Sequence, residues 1–302
     1  MPDNPKALPA GPFTLPDYRV LEISGRDAAA FAHAQFMNDV AGLAPGHWQW
    51  NGWLTPKGRV VALFALLKLD AERLWLLLPD VDPAGLVPQL QRFVFRSKVI
   101  LRARPDCAVT GGFAAPAHAR GAVIHSLHGV DVEHLELDLG GSGGPRTLWI
   151  DAAVTDAADD AAPLPAETRE SLDWKAFDIR HGLPRLPPSQ AEQWTPQMLS
   201  LDRLRAFSVK KGCYPGQEIV ARTYFLGQAK RGLALFEADG EVDAGTEVRG
   251  DDLALGTVVS SATHGGESLV LAVLPLERHT GTSLRAGDVA LRARTTLDGM
   301  AR

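Results

Sequence analysis

The chain has 302 residues, 45% of them hydrophobic, and a formal net charge of −5. That length supports two or three domains with full cores, and the acidic balance excludes a molecule that binds polyanions over its whole surface. The longest apolar run, Val60 to Leu67, is eight residues, too short to cross a bilayer and suited to a buried strand. The opening stretch "MPDNPKALPAGPFTLPD" carries acids and prolines but no apolar core, so no signal peptide is expected. Two cysteines, Cys107 and Cys213, give neither a disulfide framework nor a CxxC pair. A cytoplasmic protein with reduced thiols and no membrane partner is the expectation.

In chain order, "YRVLEISG" (18–25) predicts a strand. Ser24 and Asp27 then fit a capping box, and Ala28, Phe31, Ala32, Gln35 and Phe36 share one helical face. "HWQWNGWL" alternates as a strand does, and "GRVVALFALLKLD" and "RLWLLLPD" predict two strands joined by a short polar turn. Asp82-Pro83 caps a helix whose apolar stripe is Leu86, Leu90, Phe93 and Val94. "SKVILRARPD" returns to strand, and "VEHLELDLGGSGGPRTLWIDA" reads as strand, loop, strand. No GK[ST] follows "GGSGG", so a hairpin loop fits better than a phosphate loop. Residues 151–165, rich in Ala, Asp and Pro, read as a surface segment, and "AETRESLDWKAFDIRHGLP" as a helix stopped by Gly182 and Pro184. After Gly232 only short strands between turns remain, the pattern of a small barrel. The interleaving of hairpins and helices predicts an α+β region over residues 1–230 and a C-terminal β-barrel over 231–302.

Charge is uneven. Between Asp202 and Arg231 stand Arg203, Arg205, Lys210, Lys211, Arg222, Lys230 and Arg231, against Asp202 and Glu218, a net of +5. Arg92, Arg96, Lys98, Arg102 and Arg104 form a second run. A solvated face is one reading; a cleft for carboxylates or phosphates is the other. His125, His128 and His134 are too loosely spaced to define a metal site, and none is expected. No nucleic-acid motif is present, so direct nucleic-acid binding is not expected.

"KKGCYPGQE" (210–218) combines a thiol, two cations and a turn. Pro215 and Gly216 suit the central positions of a type II turn, which would aim Cys213 in a fixed direction. Lys210 and Lys211 would favour the thiolate if their side chains point the same way. A buried, inert cysteine is the alternative, and it suits Cys107, which follows Asp106.

"PQMLSLDRLRAFSVKKGCYPGQEIVAR" resembles the signature of the YgfZ family, relatives of the glycine-cleavage aminomethyltransferase. "ISGRDAAAFAHAQFMNDV" and "LTPKGRV" support it, so the likeness runs from about residue 17 to 231. The resemblance implies an aminomethyltransferase-like ring, with two ferredoxin-like α+β layers and a C-terminal β-barrel around a folate cleft. It implies tetrahydrofolate as ligand, with aromatic contacts at Tyr18 and Trp174 and the basic runs meeting its glutamate tail. Without it, Trp174 would be read as helix packing. The resemblance also implies a role in iron–sulfur cluster assembly or repair, with iron–sulfur proteins or their assembly machinery as partners and an indirect link to tRNA thiomethylation. Cys213 would be the reactive group, supported by Lys210, Lys211 and Gln217. One departure matters: where the transferase carries an acidic pair after the glycine matching Gly58, this chain has Ala62 and Leu63. An apolar pair cannot support charge in a transition state, which argues against aminomethyl transfer. A folate-dependent one-carbon transferase of unknown substrate and a non-catalytic docking scaffold remain alternatives.

Overall fold

Two apolar runs dictate the middle of the fold. Strands whose residues are apolar on both sides must be covered on both sides. In the computed structural model, which describes residues 11–128, 132–153, 166–227, 229–251, 253–277 and 283–302, this is how they sit. The chain opens with β1 (Phe13–Thr14), β2 (Tyr18–Ser24), α1 (Ala28–Gln35), β3 (His47–Leu54), β4 (Val60–Lys68), β5 (Arg73–Pro79), α2 (Pro83–Gln91) and β6 (Ile100–Ala103). Strands β3-β4-β5-β2-β6 form one antiparallel sheet. Leu21, Ile23, Phe64, Leu74 and Leu76 face Phe31, Phe36, Leu86 and Leu90 of the helical side. Val20, Ala65, Leu67, Trp75 and Leu77, one residue out of phase, face the opposite way.

That opposite face meets a second sheet. Strands β7 (Cys107–Gly112), β8 (His125–His128), β9 (Val132–Asp138) and β10 (Thr147–Ala153) join β1 in the order β1-β7-β10-β9-β8. Val109, Leu135, Leu137, Leu148 and Ile150 complete the central core. The "GGSGG" segment is the β9–β10 loop, with Gly141 and Gly144 exchanging backbone bonds of 3.2 and 3.0 Å. Residues 151–153 end β10; the rest of the expected surface segment, 154–165, lies outside the described residues.

Helix α3 (Arg169–Arg180) starts at a capping box, Thr168 Oγ1 accepting from Ser171 N at 3.2 Å. Its two faces have different partners. Trp174 and Phe177 enter the central core, while Ala176 and Ile179 pack on Leu235, Leu269 and Leu271 of the barrel. After it comes α4 (Gln217–Phe225), then β11 (Arg231–Ala238), β12 (Glu247–Gly250), β13 (Leu253–His264), β14 (Glu267–Pro275), β15 (Leu284–Ala286) and β16 (Val289–Arg294). These six strands close as β11-β14-β13-β12-β15-β16, filled by Phe236, Val248, Val258 and Val270. The expected α+β class with a C-terminal barrel is therefore the observed one. No helix among the described residues is long and apolar enough to cross a membrane.

The expected capping box at Ser24 is not formed. Ser24 ends β2, and Asp27 Oδ2 instead accepts from Lys98 N at 2.7 Å, tying α1 to the entry of β6. Asp82 does cap α2, accepting from Ala84 N at 2.9 Å.

A buried ion cluster joins the layers. Arg146, just before β10, is wholly buried, and its Nη1 lies 2.7 Å from Asp178 Oδ1, a charge contact outside hydrogen-bond angles. Nη1 also donates to Trp174 O at 3.2 Å, and Nε to Leu139 O at 3.2 Å. Arg185 grips Asp80 with Nε and Nη2 at 2.6 and 2.8 Å and reaches Asp178 Oδ2 with Nη1 at 3.2 Å. Removing one partner of such a pair leaves an uncompensated buried charge. Arg146→Met should therefore lower unfolding free energy by ~3–5 kcal/mol in denaturant titration; a loss under about 1 kcal/mol, the range of exposed pairs, would show that the cluster does not join the sheets.

Candidate functional site

The cysteine segment is built on two interlocked turns. Tyr214 O accepts from Gln217 N at 3.1 Å, and Gly216 has φ 79° and ψ 0°, so Pro215-Gly216 is the expected type II turn. Its backbone lies on a second turn, where Gly58, at φ 69°, donates to Thr55 O at 2.9 Å. A Cβ at Gly216 would stand 2.6 Å from Thr55 O and 2.7 Å from Gly58 Cα. Only glycine fits there, so "TPKG" and "YPGQ" are halves of one contact. Cys213, two residues before the proline, is exposed. Tyr214 beside it is buried and donates from its hydroxyl to Ser208 O at 3.3 Å.

The residues grouped with Cys213 do other things. Lys211 is buried, and its ammonium donates to the carbonyls of His33, Phe36 (2.5 Å) and Asn38 (3.2 Å), closing the C-terminal end of α1. It also stands 4.7 Å from the Tyr214 ring centre. Burial pulls its pKa down to about 8, with Asp39 opposing. The Lys211 charge thus serves a helix end. Gln217 Nε2 donates to Lys211 O at 3.2 Å and closes the loop around the cysteine, a scaffolding contact. Lys210 is exposed, with its backbone N on Ser208 Oγ at 3.2 Å. Cys107 is half-buried at the start of β7, and burial pushes its thiol up to about 12.

Tyr18 and Trp174 are brought together. Trp174 Nε1 donates to Tyr18 OH at 3.1 Å, and that hydroxyl is 3.4 Å from Asp178 Oδ2. Burial, helped by the Asp178 carboxylate, pushes the Tyr18 phenol far above its ordinary range. Both rings are enclosed, Tyr18 at 5% and Trp174 at 0% exposure. The Arg146 guanidinium lies 4.0 Å over the Trp174 ring, and Arg185 lies 5.2 Å from that of Tyr18. On other sides Phe13 and Phe113 pack at 6.0 and 5.9 Å. The pair therefore sits in the core, closed to solvent. Arg146, Asp178 and Arg185, which complete this cluster, were not singled out from the sequence. A lone acid four residues after Trp174 on an apolar helical stripe was the available signal.

Three cations of the basic stretch 202–231 are engaged within the fold, and Arg205, Lys210, Arg222 and Lys230 are exposed. Arg203 serves His181 O and Leu297 O, Lys211 serves α1, and Arg231 Nη1 donates to Leu255 O at 2.9 Å. In the second run Arg104 is engaged by Glu22 and Asp106 at 2.6 Å each, while Arg92, Arg96 and Lys98 are exposed. No group of three or more metal-ligating side chains is found among the described residues.

These environments set thiol reactivity apart. With iodoacetamide at pH 7, Cys213 should label first and Cys107 at least about a hundredfold more slowly, because attack requires access and thiolate. Lys211→Met should leave the Cys213 rate within about twofold while lowering the melting temperature, since the ammonium is committed to α1. Peptide mass spectrometry measures both rates. A slower Cys213 in Lys211→Met protein would reinstate that lysine as its partner.

No family model matches the chain. It is 29% identical over 239 residues to an uncharacterized protein of Haemophilus influenzae, covering 78% of this chain and 77% of that one. It is 28% identical over 307 residues to the tRNA-modifying protein YgfZ of Klebsiella pneumoniae, covering 96% and 92%. Among solved structures, the glycine cleavage system aminomethyltransferase T of Bartonella henselae superposes with a TM-score of 0.68 at 14% identity, covering 95% of this chain and 86% of that one. The fold is therefore aminomethyltransferase-like, and over nearly its whole length the chain is similar to YgfZ.

Proposed function

We propose that the protein binds a reduced folate and supports the assembly or repair of iron–sulfur proteins in the cytoplasm, with Cys213 as its chemical group. The observation that carries this reading is the exposed thiol on a turn that only glycine permits. A buried structural cysteine needs no such mount. An exposed thiol on a rigid turn can meet a cluster, a persulfide or a folate-borne carbon at a fixed place.

Folate binding is supported by the aminomethyltransferase-like fold and by the paired Tyr18 and Trp174, flat rings of the kind a pterin stacks on. Ala62 and Leu63 are buried within β4 and offer no carboxylate to a substrate amine, which speaks against aminomethyl transfer. The tRNA-modifying name of the Klebsiella relative fits an indirect effect, through an iron–sulfur enzyme that acts on tRNA.

In a strain lacking this protein, activity of an iron–sulfur enzyme should fall and be restored by the wild-type chain. Cys213→Ala, expressed to the same level, should restore it several-fold less well. Full restoration by Cys213→Ala would overturn the thiol's role and favour a docking scaffold.

A further inference from the structure

The segment after β16, residues 295–302, has no regular structure, yet it runs from the barrel into the central core. Leu297 N donates to Arg180 O at 2.8 Å, and Arg203 Nη2 donates to Leu297 O and Asp298 Oδ1 at 2.9 and 3.0 Å. Asp298 O accepts from Ser142 N and Ser142 Oγ at 2.8 and 2.9 Å. Gly299, at φ 92°, lets the backbone pass the glycine loop, where a Cβ would stand 2.9 Å from Ser142 N. Arg302 Nη2 donates to Asp138 O and Gly140 O at 2.9 Å each.

One residue of this segment is deeply seated. Met300 is 2% exposed. Its carbonyl accepts from Trp50 Nε1 at 2.7 Å, and its sulfur is 4.0 Å from Arg146 Nη2. Behind Arg146 lies Trp174, and behind Trp174 the Tyr18 hydroxyl. Outside the segment is a cavity of about 710 Å³, walled by the glycine loop, Arg120, Asp138, Gly299 and Arg302. A cavity of that size holds a drug-sized ligand, and Gly299 and Arg302, which line it, flank the buried Met300 in the chain.

We propose that residues 295–302 are a displaceable strap whose Met300 closes a folate-ring site built on Trp50, Arg146 and Trp174. The inference rests on the folate reading above and adds the route of entry, the regulation and two further binding residues. When the strap withdraws, the Trp50 indole N–H is freed to donate to a pterin carbonyl or ring nitrogen. Arg146 Nη2, which meets the Met300 sulfur in the closed form, becomes a second donor, and the outer cavity has room for the benzoyl-glutamate end. The bonds that hold the strap run to backbone carbonyls, to Ser142 and from Arg203, and its two large buried side chains are Arg302, on Asp138 O and Gly140 O, and Met300, which plugs the site.

Calorimetry with 5-formyltetrahydrofolate tests it on the full chain, a chain stopped after Arg294, and Met300→Ser. If the strap is closed about nine-tenths of the time, both variants should bind about tenfold tighter, because apparent affinity scales with the open fraction. Carboxypeptidase should also trim the strap faster when the full chain is saturated. Near-ultraviolet circular dichroism checks that each variant keeps its core, and Met300→Ser, which retains the strap's backbone bonds, decides if the shortened chain fails to fold. Equal affinity in all three, with unchanged trimming, overturns the strap and leaves folate binding standing. If no form binds, the folate reading falls and the strap's role with it.

Discussion

The meeting of Asp178 with Arg146 and Arg185 is the contact on which the rest depends. The three come from α3, from the residue before β10 and from the segment after α3, and Arg185 carries the link on to Asp80 at the end of β5. Charges this deeply buried are tolerated only when paired, so each fixes where the others must be. An apolar cluster of equal volume could be as stable. It would not fix the register of α3 against two sheets so narrowly. Because α3 also carries Ala176 and Ile179 onto the barrel, one helix sets the geometry of all three layers.

Two different surfaces are mounted on this frame. The Cys213 turn is tied to the first sheet: Ser208 N donates to Met37 O at 2.9 Å, Asn38 Nδ2 to Arg205 O at 2.7 Å, and Lys211 closes α1. The Tyr18–Trp174 pair is tied to the ion cluster between the sheets. The first surface is open, with its thiol exposed beside a turn that only glycine permits. The second is enclosed, and Met300 of the 295–302 segment packs against Trp50 and Arg146 beside it.

How much of this could be read from the sequence follows from where each signal lives. Strands β4 and β5 were legible because burial on both faces leaves unbroken apolar runs. The Asp82 cap and the Pro215-Gly216 turn were legible because backbone geometry there depends on the residues themselves. Helix α4 was missed because Val220 alone among its residues is buried, so no helical period shows. Strand β7, "CAVTGG", was missed because its glycines accept the rings of Trp174 and Trp149 rather than bearing side chains. Lys211 was assigned to its neighbour in sequence, whereas its partners lie more than 170 positions away. Asp178, Arg146 and Met300 carry meaning only through such distant contacts, and single-sequence pattern does not encode them.

The central claim is that the ligand site lies between the sheets, on the α3 side of the ion cluster. Hydrogen exchange by mass spectrometry, with and without 5-formyltetrahydrofolate, tests it most directly. Saturation should slow exchange in α3 and in the strands bearing Tyr18 and Trp50, and quicken it across 295–302. Protection confined to the barrel strands or to the surface around α2, with α3 unchanged, would contradict the account.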